Sequence, residues 1–191
     1  MLVQLRTSVL VLIAMSLLTG GVYPLLVTVA AKAFFSRQAD GSLLMHDRRI
    51  VGSELIGQEF SRPEYFWGRL SATSPTPYNA AASSGSNMGP LHPGLKQAAA
   101  ARIAKLRAAG SPGQRIPVDL VTASASGLDP HISPAAADFQ VARIAASRNL
   151  SVDAVRDLVR QFTEGPQWGV LGEPRVHVLK LNLALDRLST R

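Results

Sequence analysis

The first strong signal in the hydrophobic pattern is an unbroken apolar run. From Thr7 to Ala31, TSVLVLIAMSLLTGGVYPLLVTVAA carries no charged side chain, and Arg6 and Lys32 close it at either end. As a helix it is about 37 Å long, enough to cross a hydrocarbon core of about 30 Å with some tilt. The pattern predicts a membrane-spanning helix over 7–31. A cleaved secretory signal is the alternative, since Arg6 supplies a positive n-region and Ala31-Lys32-Ala33 fits a small-x-small cleavage site loosely. Signal h-regions, however, run about 7 to 15 residues, and this run is much longer. Gly20, Gly21 and Pro24 should kink or loosen the helix, and a loosened backbone in lipid needs a neighbour to cover it. Ser16 and Gly20, four apart, offer a small-xxx-small seam for a second helix. These four residues are the candidate membrane-packing set. A lone span makes no pore, so any pore would need other chains.

Beyond the span the periodicity changes several times. Residues 32–49 read as a polar connector with a turn at Gly41, and 50–191 as one α+β domain with a small sheet. Ile50 to Ile56 has strand character, with Gly52 marking a bulge or close approach. GQEFSRPEYFWGRL places Phe60, Tyr65, Phe66 and Trp67, four of the chain's eleven aromatics, within eight residues, which suits a core anchor or an aromatic docking corner. Leu95, Ala99, Ile103 and Leu106 line one face of a helix over 95–109, which Gly110 and Pro112 stop. Its charges, Lys96, Arg102, Lys105 and Arg107, read as a solvated face. Ile116 to Val121 is a short apolar run, followed by a second stretch of small residues. Ser133 caps a helix opened by Pro134 and running to about Ser147. Ser151 caps the next, whose stripe is Val152, Val155, Leu158, Val159 and Phe162. Asp153 with Arg156 and Asp157 with Arg160 add i,i+3 ion pairs. In RVHVLKLNLALDRL, Leu179, Leu181, Leu183 and Leu185 alternate with polar partners and argue a strand, although the end also fits a helix.

One segment has no periodicity at all. SATSPTPYNAAASSGSNMGPLHPGL, residues 71–95, runs twenty-five residues without a charge in a chain that is 17% charged. Its large apolar side chains are too few for a core, and its turn formers too many for a regular element. It must be held by something else.

Charge and composition narrow the class. The net charge is +7, and only Arg6 contributes before Lys32, so the domain itself is basic and attracts anionic partners or lipid. Lys32, Arg37, Arg48 and Arg49 follow the span. By the positive-inside rule they favour a cytoplasmic domain, though long domains translocate largely regardless. Zero cysteines suit an oxidising compartment without demanding it.

Enzyme chemistry finds little footing. GPLHPGLK has Gly89 and Gly94 at phosphate-loop spacing, but Leu95 precedes Lys96, and Pro90 and Pro93 remove two N–H donors. TGGVYP at 19–24 resembles a potassium-filter signature, yet filters need several such loops around an axis. His46, His92, His131 and His177 show no paired ligand spacing, so no metal site is expected. No G-x-S-x-G elbow or Ser-His-Asp set can be assembled. Asp129-Pro130-His131 reads as a turn whose carboxylate binds backbone. No catalytic residue and no autonomously bound cofactor is expected.

Three stretches then carry a resemblance: SRPEYFWGRLSATSPTPYNAAASSGSNMGPLHPGL, ASGLDPHISPAAADFQVARIA and LNLALD, in this order behind a single N-terminal span. Together they closely resemble the KdpC family, one of the subunits of Kdp potassium-transporting P-type ATPases, over essentially the whole chain. The resemblance implies a bacterial inner-membrane complex that imports potassium at high affinity. In it the channel-like KdpA selects potassium, the P-type pump KdpB hydrolyses ATP, and the small KdpC and KdpF join them. ATP and potassium would be handled by the complex. The resemblance further implies an extracytoplasmic domain, against the charge bias, and a non-catalytic assembling role that includes raising the pump's ATP affinity. A membrane-anchored regulator that touches ATP directly is the alternative. Leu70 replaces an expected proline after Gly-Arg, and Met88 and Leu91-His92 vary the loop. In this light the neutral loop is expected to lie on a partner protein of the complex through Ser71, Thr73, Tyr78, Asn79, Ser84, Ser86 and Asn87. The alternative is a loop packed only on its own domain.

Overall fold

The structure is a computed structural model and describes residues 1–110 and 113–189. Pro112 therefore lies outside the described residues. The chain divides into two compact units, Met1–Ile50 and Val51–Arg191.

The first unit is dominated by one apolar helix, Leu2–Phe34, whose most apolar 18-residue window has a mean hydropathy of 2.1. It is longer than the 7–31 span expected from charge alone, because Leu2, Val3 and Leu5 extend the apolar run past Arg6. It consists of α1 (Leu2–Leu17), a π-helical turn (Leu18–Val22) and α2 (Tyr23–Phe34). The expected loosening at Gly20, Gly21 and Pro24 takes the form of this π turn. Proline has no N–H to give the carbonyl four residues back, and the widened register absorbs the lost bond without breaking the helix. Thr19 Oγ1 donates to the Met15 carbonyl at 2.7 Å. A Cβ built on Gly20 or Gly21 meets nothing within 4 Å. The expected connector is more structured than its polarity suggested. It holds a single helical turn, α3 (Ser36–Ala39), a turn at Gly41 with φ +89°, and strand β1 (Leu43–His46). Lys32 reaches Asp40 at 2.7 Å across α3.

Strand β2 (Arg49–Ser53) stops short of the expected Ile56, because the chain turns at Glu54 and Leu55 and closes a bridge between Ser53 and Ile56. Gly52 is the expected close approach: a Cβ there would lie 2.7 Å from Leu179 Cδ2. The second unit then builds α4 (Pro93–Ala108), β3 (His131–Ile132), α5 (Pro134–Arg148), α6 (Val152–Gln161), β4 (Thr163–Glu164), β5 (Arg175–His177) and α7 (Val178–Ser189). β5 is central in a three-stranded antiparallel sheet, order β3-β5-β4, pairing His131 with His177 and Thr163 with Val176. α5 packs on α6 and α6 on α7. Val155, Leu158 and Val159 are buried along the expected stripe, while Val152 at its start remains exposed. Ser133 and Ser151 cap their helices by accepting from Ala136 N and Ala154 N at 3.0 and 3.1 Å.

The C-terminal leucine run is a helix, which corrects the strand expectation. Leu181 and Leu185 are fully buried, four apart, with Val178 and Leu179 beside them. A leucine at every second position satisfies the i, i+4 rule as readily as strand alternation, and leucine's helix preference decides it. The polar positions between them are not all solvated either. Asn182, 1% exposed, accepts from Phe66 N at 2.9 Å and donates to Phe66 O at 3.0 Å. Gln140 on α5 repeats the arrangement on the next residue, accepting from Trp67 N at 2.8 Å and donating to Trp67 O at 3.1 Å. Two amide side chains thus clamp the Phe66–Trp67 backbone as a neighbouring strand would, and the aromatic cluster becomes the core anchor.

His177 joins β5 to α7. Its Nδ1 accepts from Lys180 N at 3.4 Å, as a helix cap does, so the proton sits on Nε2, which donates to Glu54 O at 3.0 Å. Burial holds its pKa below the ordinary 6.5; the edge-on His131 ring and Lys180 push the same way, and the Glu54 hydrogen bond and Glu164 oppose them. The folded protein therefore binds fewer protons than the unfolded chain. This contribution to stability is full above pH 6.5 and falls away as pH drops through the depressed folded value. Urea unfolding of the full-length chain in detergent should show its midpoint declining below pH 6.5, and His177→Gln should flatten that decline. An unchanged slope in His177→Gln would assign the pH dependence elsewhere.

Candidate functional site

The neutral loop is held by its own domain at its base and presented outward at its crest. Ser71 is the base. Its Oγ donates to Gly127 O at 2.7 Å and accepts from Tyr78 N at 2.9 Å. Thr73, buried, donates from Oγ1 to Thr76 O at 2.7 Å and accepts from Asn79 N at 3.0 Å. Asn79 accepts from Ala81 N and donates to Ser74 O. Each hydroxyl has one proton, so with both directed to carbonyls the 3.0 Å contact between Ser71 Oγ and Thr73 Oγ1 lacks a proton of its own. Tyr78 stands on this base at φ +56°, and its hydroxyl donates to Arg69 O at 2.6 Å. Burial pushes the Tyr78 pKa up to about 12, so the phenol remains a donor at any physiological pH.

The seat beneath is the second small-residue stretch. Ser84 N and Ser83 Oγ both donate to Ser126 O, and Ser124 N donates to Leu70 O, each at 3.0 Å. Gly127 at φ +69° lets the two segments close: a Cβ there would lie 2.5 Å from Thr73 Cγ2 and 2.7 Å from Ser84 O. Gly85 is likewise 2.7 Å from Ala125 O at its Cβ position. The two uncharged stretches are therefore complementary halves of one packing unit, and small residues are what permit the approach.

Charged groups pin the seat from below. Asp129 accepts from His131 N at 2.9 Å, as the turn reading expected, and pairs with Arg69 at 3.1 Å. Burial would raise its pKa, but the hydrogen bonds from His131 and Arg69 outweigh burial and hold it below 3.8. Arg69 also donates to Ala123 O. On α4 the expected solvated face holds for Lys96, Lys105 and Arg107 and fails for Arg102, which is half-buried. Arg102 donates to Leu120 O and Gly68 O, each at 3.0 Å, and with Lys105 lies over the Trp67 ring at 5.3 and 5.2 Å. Lys96 and Arg107 are exposed as expected.

Of the seven candidate loop residues, Ser71, Thr73, Tyr78 and Asn79 hold the loop's internal bonds. Ser84 bridges to the seat, and Ser86 and Asn87 stand exposed at the crest with Leu91. Beneath the crest, loop, α4 and residues 121–123 enclose a groove of about 440 Å³ lined by Ser71, Ser86, Met88, Leu95, Ala101 and Val121 among others. The phosphate-loop near-miss is the start of α4: His92 caps it, with Nδ1 accepting from Gly94 N at 3.1 Å. The N–H a phosphate would need is already engaged. Among the described residues no cluster of three metal-ligating side chains occurs. Sequence reasoning missed the Gly127 seat, the Arg69–Asp129 pair and the two amide clamps. Asn182 in LNLALD and Gln140 between Phe139 and Val141, polar residues inside apolar runs, were the available signals.

The geometry defines a class: one apolar helix long enough to span a membrane, a separately packed α+β domain, and an uncharged loop with an exposed crest. Residues 5–187 match the family described as KdpC, K+-transporting ATPase, c chain, and the chain belongs to that family. The potassium-transporting ATPase KdpC subunit of Burkholderia ambifaria is 60% identical over 183 residues, 95% of each chain. Those of Burkholderia mallei and Burkholderia pseudomallei are 59% identical over 182 residues, 95% of this chain and 94% of theirs.

Proposed function

We propose that this chain is a non-catalytic subunit of an ATP-driven, high-affinity potassium importer in a bacterial inner membrane. It assembles and stabilises the complex with the channel-like KdpA, the pump KdpB and the small KdpF. The span, with Ser16, Gly20, Gly21 and Pro24 as its packing seam, anchors it beside other helices. The α+β domain lies on the extracytoplasmic side and rests its neutral crest on the channel-like partner. Family membership supports the complex, and one structural observation carries the docking role: the loop's base is hydrogen-bonded internally while Ser86 and Asn87 are held outward without a charge. A preformed loop loses little entropy on docking, and its neutrality places no cation beside an entering potassium ion.

The test uses the full-length chain co-expressed with the other subunits. Ser86→Lys should reduce copurification and potassium uptake at limiting external potassium by about tenfold or more, since an unmatched charge at an interface costs several kcal/mol. Ser86→Asn should leave both intact. Full copurification and uptake with Ser86→Lys would remove the crest from the interface.

A further inference from the structure

The eight residues between β4 and β5 that follow Glu164, GPQWGVLG, form a second uncharged projection, remote in sequence from the crest. Gln167 and Leu171 bridge across it, with Gln167 N donating to Leu171 O at 2.7 Å and Leu171 N to Gln167 O at 2.9 Å. Val170 N donates to Gln167 O at 3.3 Å, closing a tight turn over Trp168 and Gly169. Both central residues have positive φ, +55° and +79°, the sign pattern of a type I′ hairpin turn. Glycine accepts that backbone freely. A bulky aromatic residue does not, and asparagine, aspartate or glycine normally fills the first position.

Trp168 gains nothing within the domain to offset this. It is 82% exposed, and Val170 and Leu171 beside it are 79% and 52% exposed. A side chain that breaks a local backbone rule without burying itself is the mark of a residue kept for a contact outside the fold. The projection is also fixed in advance by its own hydrogen bonds, which lowers the entropy lost on docking.

The surrounding charges discriminate between occupants. Loops that insert at a lipid surface carry lysine or arginine toward anionic headgroups. This one is bracketed by Glu164 and Glu173, and Arg175, three residues beyond it, pairs with Glu164 at 3.1 Å. An apolar centre with tryptophan at its tip and an ion-paired polar rim is instead the composition of a protein–protein anchor.

We infer that Trp168, with Val170 and Leu171, is an anchor that seats in an uncharged apolar pocket of another protein of the same complex, at a contact separate from the 71–95 crest. The inference rests on the proposed membership of the importer complex. Its test uses full-length chain, alone in vesicles and co-expressed with the other subunits. Alone, in vesicles of phosphatidylcholine and phosphatidylglycerol with brominated acyl chains, the emission that Trp168→Phe removes should be unquenched and characteristic of water. In the purified complex the same emission should shift to the blue. Trp168→Ala should lower retention of the chain in detergent-solubilised complex by about tenfold, and Trp168→Phe should restore most of it. Brominated-lipid quenching of Trp168 in the isolated chain would overturn the inference in favour of a lipid contact. Undiminished retention of Trp168→Ala in a complex that holds wild-type chain would overturn it alone. Failure of the wild-type chain itself to copurify would overturn the proposed complex membership and this contact with it.

Discussion

Replacing Trp67 with alanine should lower the stability of the α+β domain by about 3–5 kcal/mol, a large share of the 5–15 kcal/mol typical of a folded domain. Trp67 is 3% exposed and sits in the core cluster with Phe66, Leu120 and Phe139. Its indole Nε1 donates to Arg62 O at 2.9 Å. Its ring also lies within 4.4 Å of the Arg143 guanidinium, with Lys105 and Arg102 at 5.2 and 5.3 Å. Burial, and then the charge of Arg102, depress the Arg143 pKa to about 10. Three cations gathered at one site repel one another, and the ring's negative faces and Arg143's hydrogen bonds to Pro63 O, Tyr65 O and Gln140 Oε1 compensate. Removing the ring therefore opens a cavity and leaves the repulsion uncompensated. Urea unfolding of full-length chain in detergent, followed by hydrogen exchange of α5 and α7 amides, measures the loss. Trp67→Phe should recover part of it. A loss below about 1 kcal/mol in Trp67→Ala would show that the ring is not the core anchor.

Asn182→Ala should cost about 2–4 kcal/mol, because it strands both Phe66 N–H and Phe66 C=O in a buried site, and each unsatisfied group costs about 1–3 kcal/mol. Asn182→Asp tests the direction of the clamp. A carboxylate can still accept from Phe66 N–H but cannot donate to Phe66 O, and it is buried without a countercharge in contact. It should therefore destabilise at least as much as alanine, more so at neutral than at acidic pH. Gln140→Ala should act in the same way on Trp67, and the double variant should depart from additivity, since the two clamps hold consecutive residues. Protection of the Phe66 and Trp67 amides in hydrogen exchange is the direct measurement. Unchanged protection in Asn182→Ala would refute the clamp.

Both variants act away from the loop crest, yet each should loosen it. Gly68, Arg69 and Leu70 follow the clamped pair directly, and they carry the Tyr78 hydroxyl bond and the Leu70–Ala123 bridge on which the loop rests. A crest held by its base is only as fixed as the segment that precedes the base.

Much of this was legible before folding. The span, the capped helices at Ser133 and Ser151, the apolar stripe of α6 and the Asp129 turn all follow from local rules: charge-free length, a cap three residues before a satisfied N–H, 3.6-residue periodicity. These rules act within a turn or two of chain, so one sequence window contains both partners. The resemblance to the KdpC family was equally local, since its motifs are contiguous. The terminal leucine run was ambiguous because alternation and helical spacing coincide there, and only the burial of Leu181 and Leu185 together with Asn182 separates them.

What the sequence determined by itself was the inventory: one membrane-length helix, a basic α+β domain, and two stretches too small and too neutral to form elements alone. What only the tertiary structure decided was how those stretches are held. Ser71 meets Gly127 across fifty-six positions, and Asn182 meets Phe66 across one hundred and sixteen. Hydrogen bonds between segments so far apart have no periodic signature, because the entropy of closing such loops is recovered only by the assembled core. The structure likewise turned Arg102 from a solvated charge into a ring partner and exposed Trp168 where an aromatic residue would be expected inside. Local physics chose the elements, and long-range packing chose which polar groups were satisfied within the fold and which remained outward.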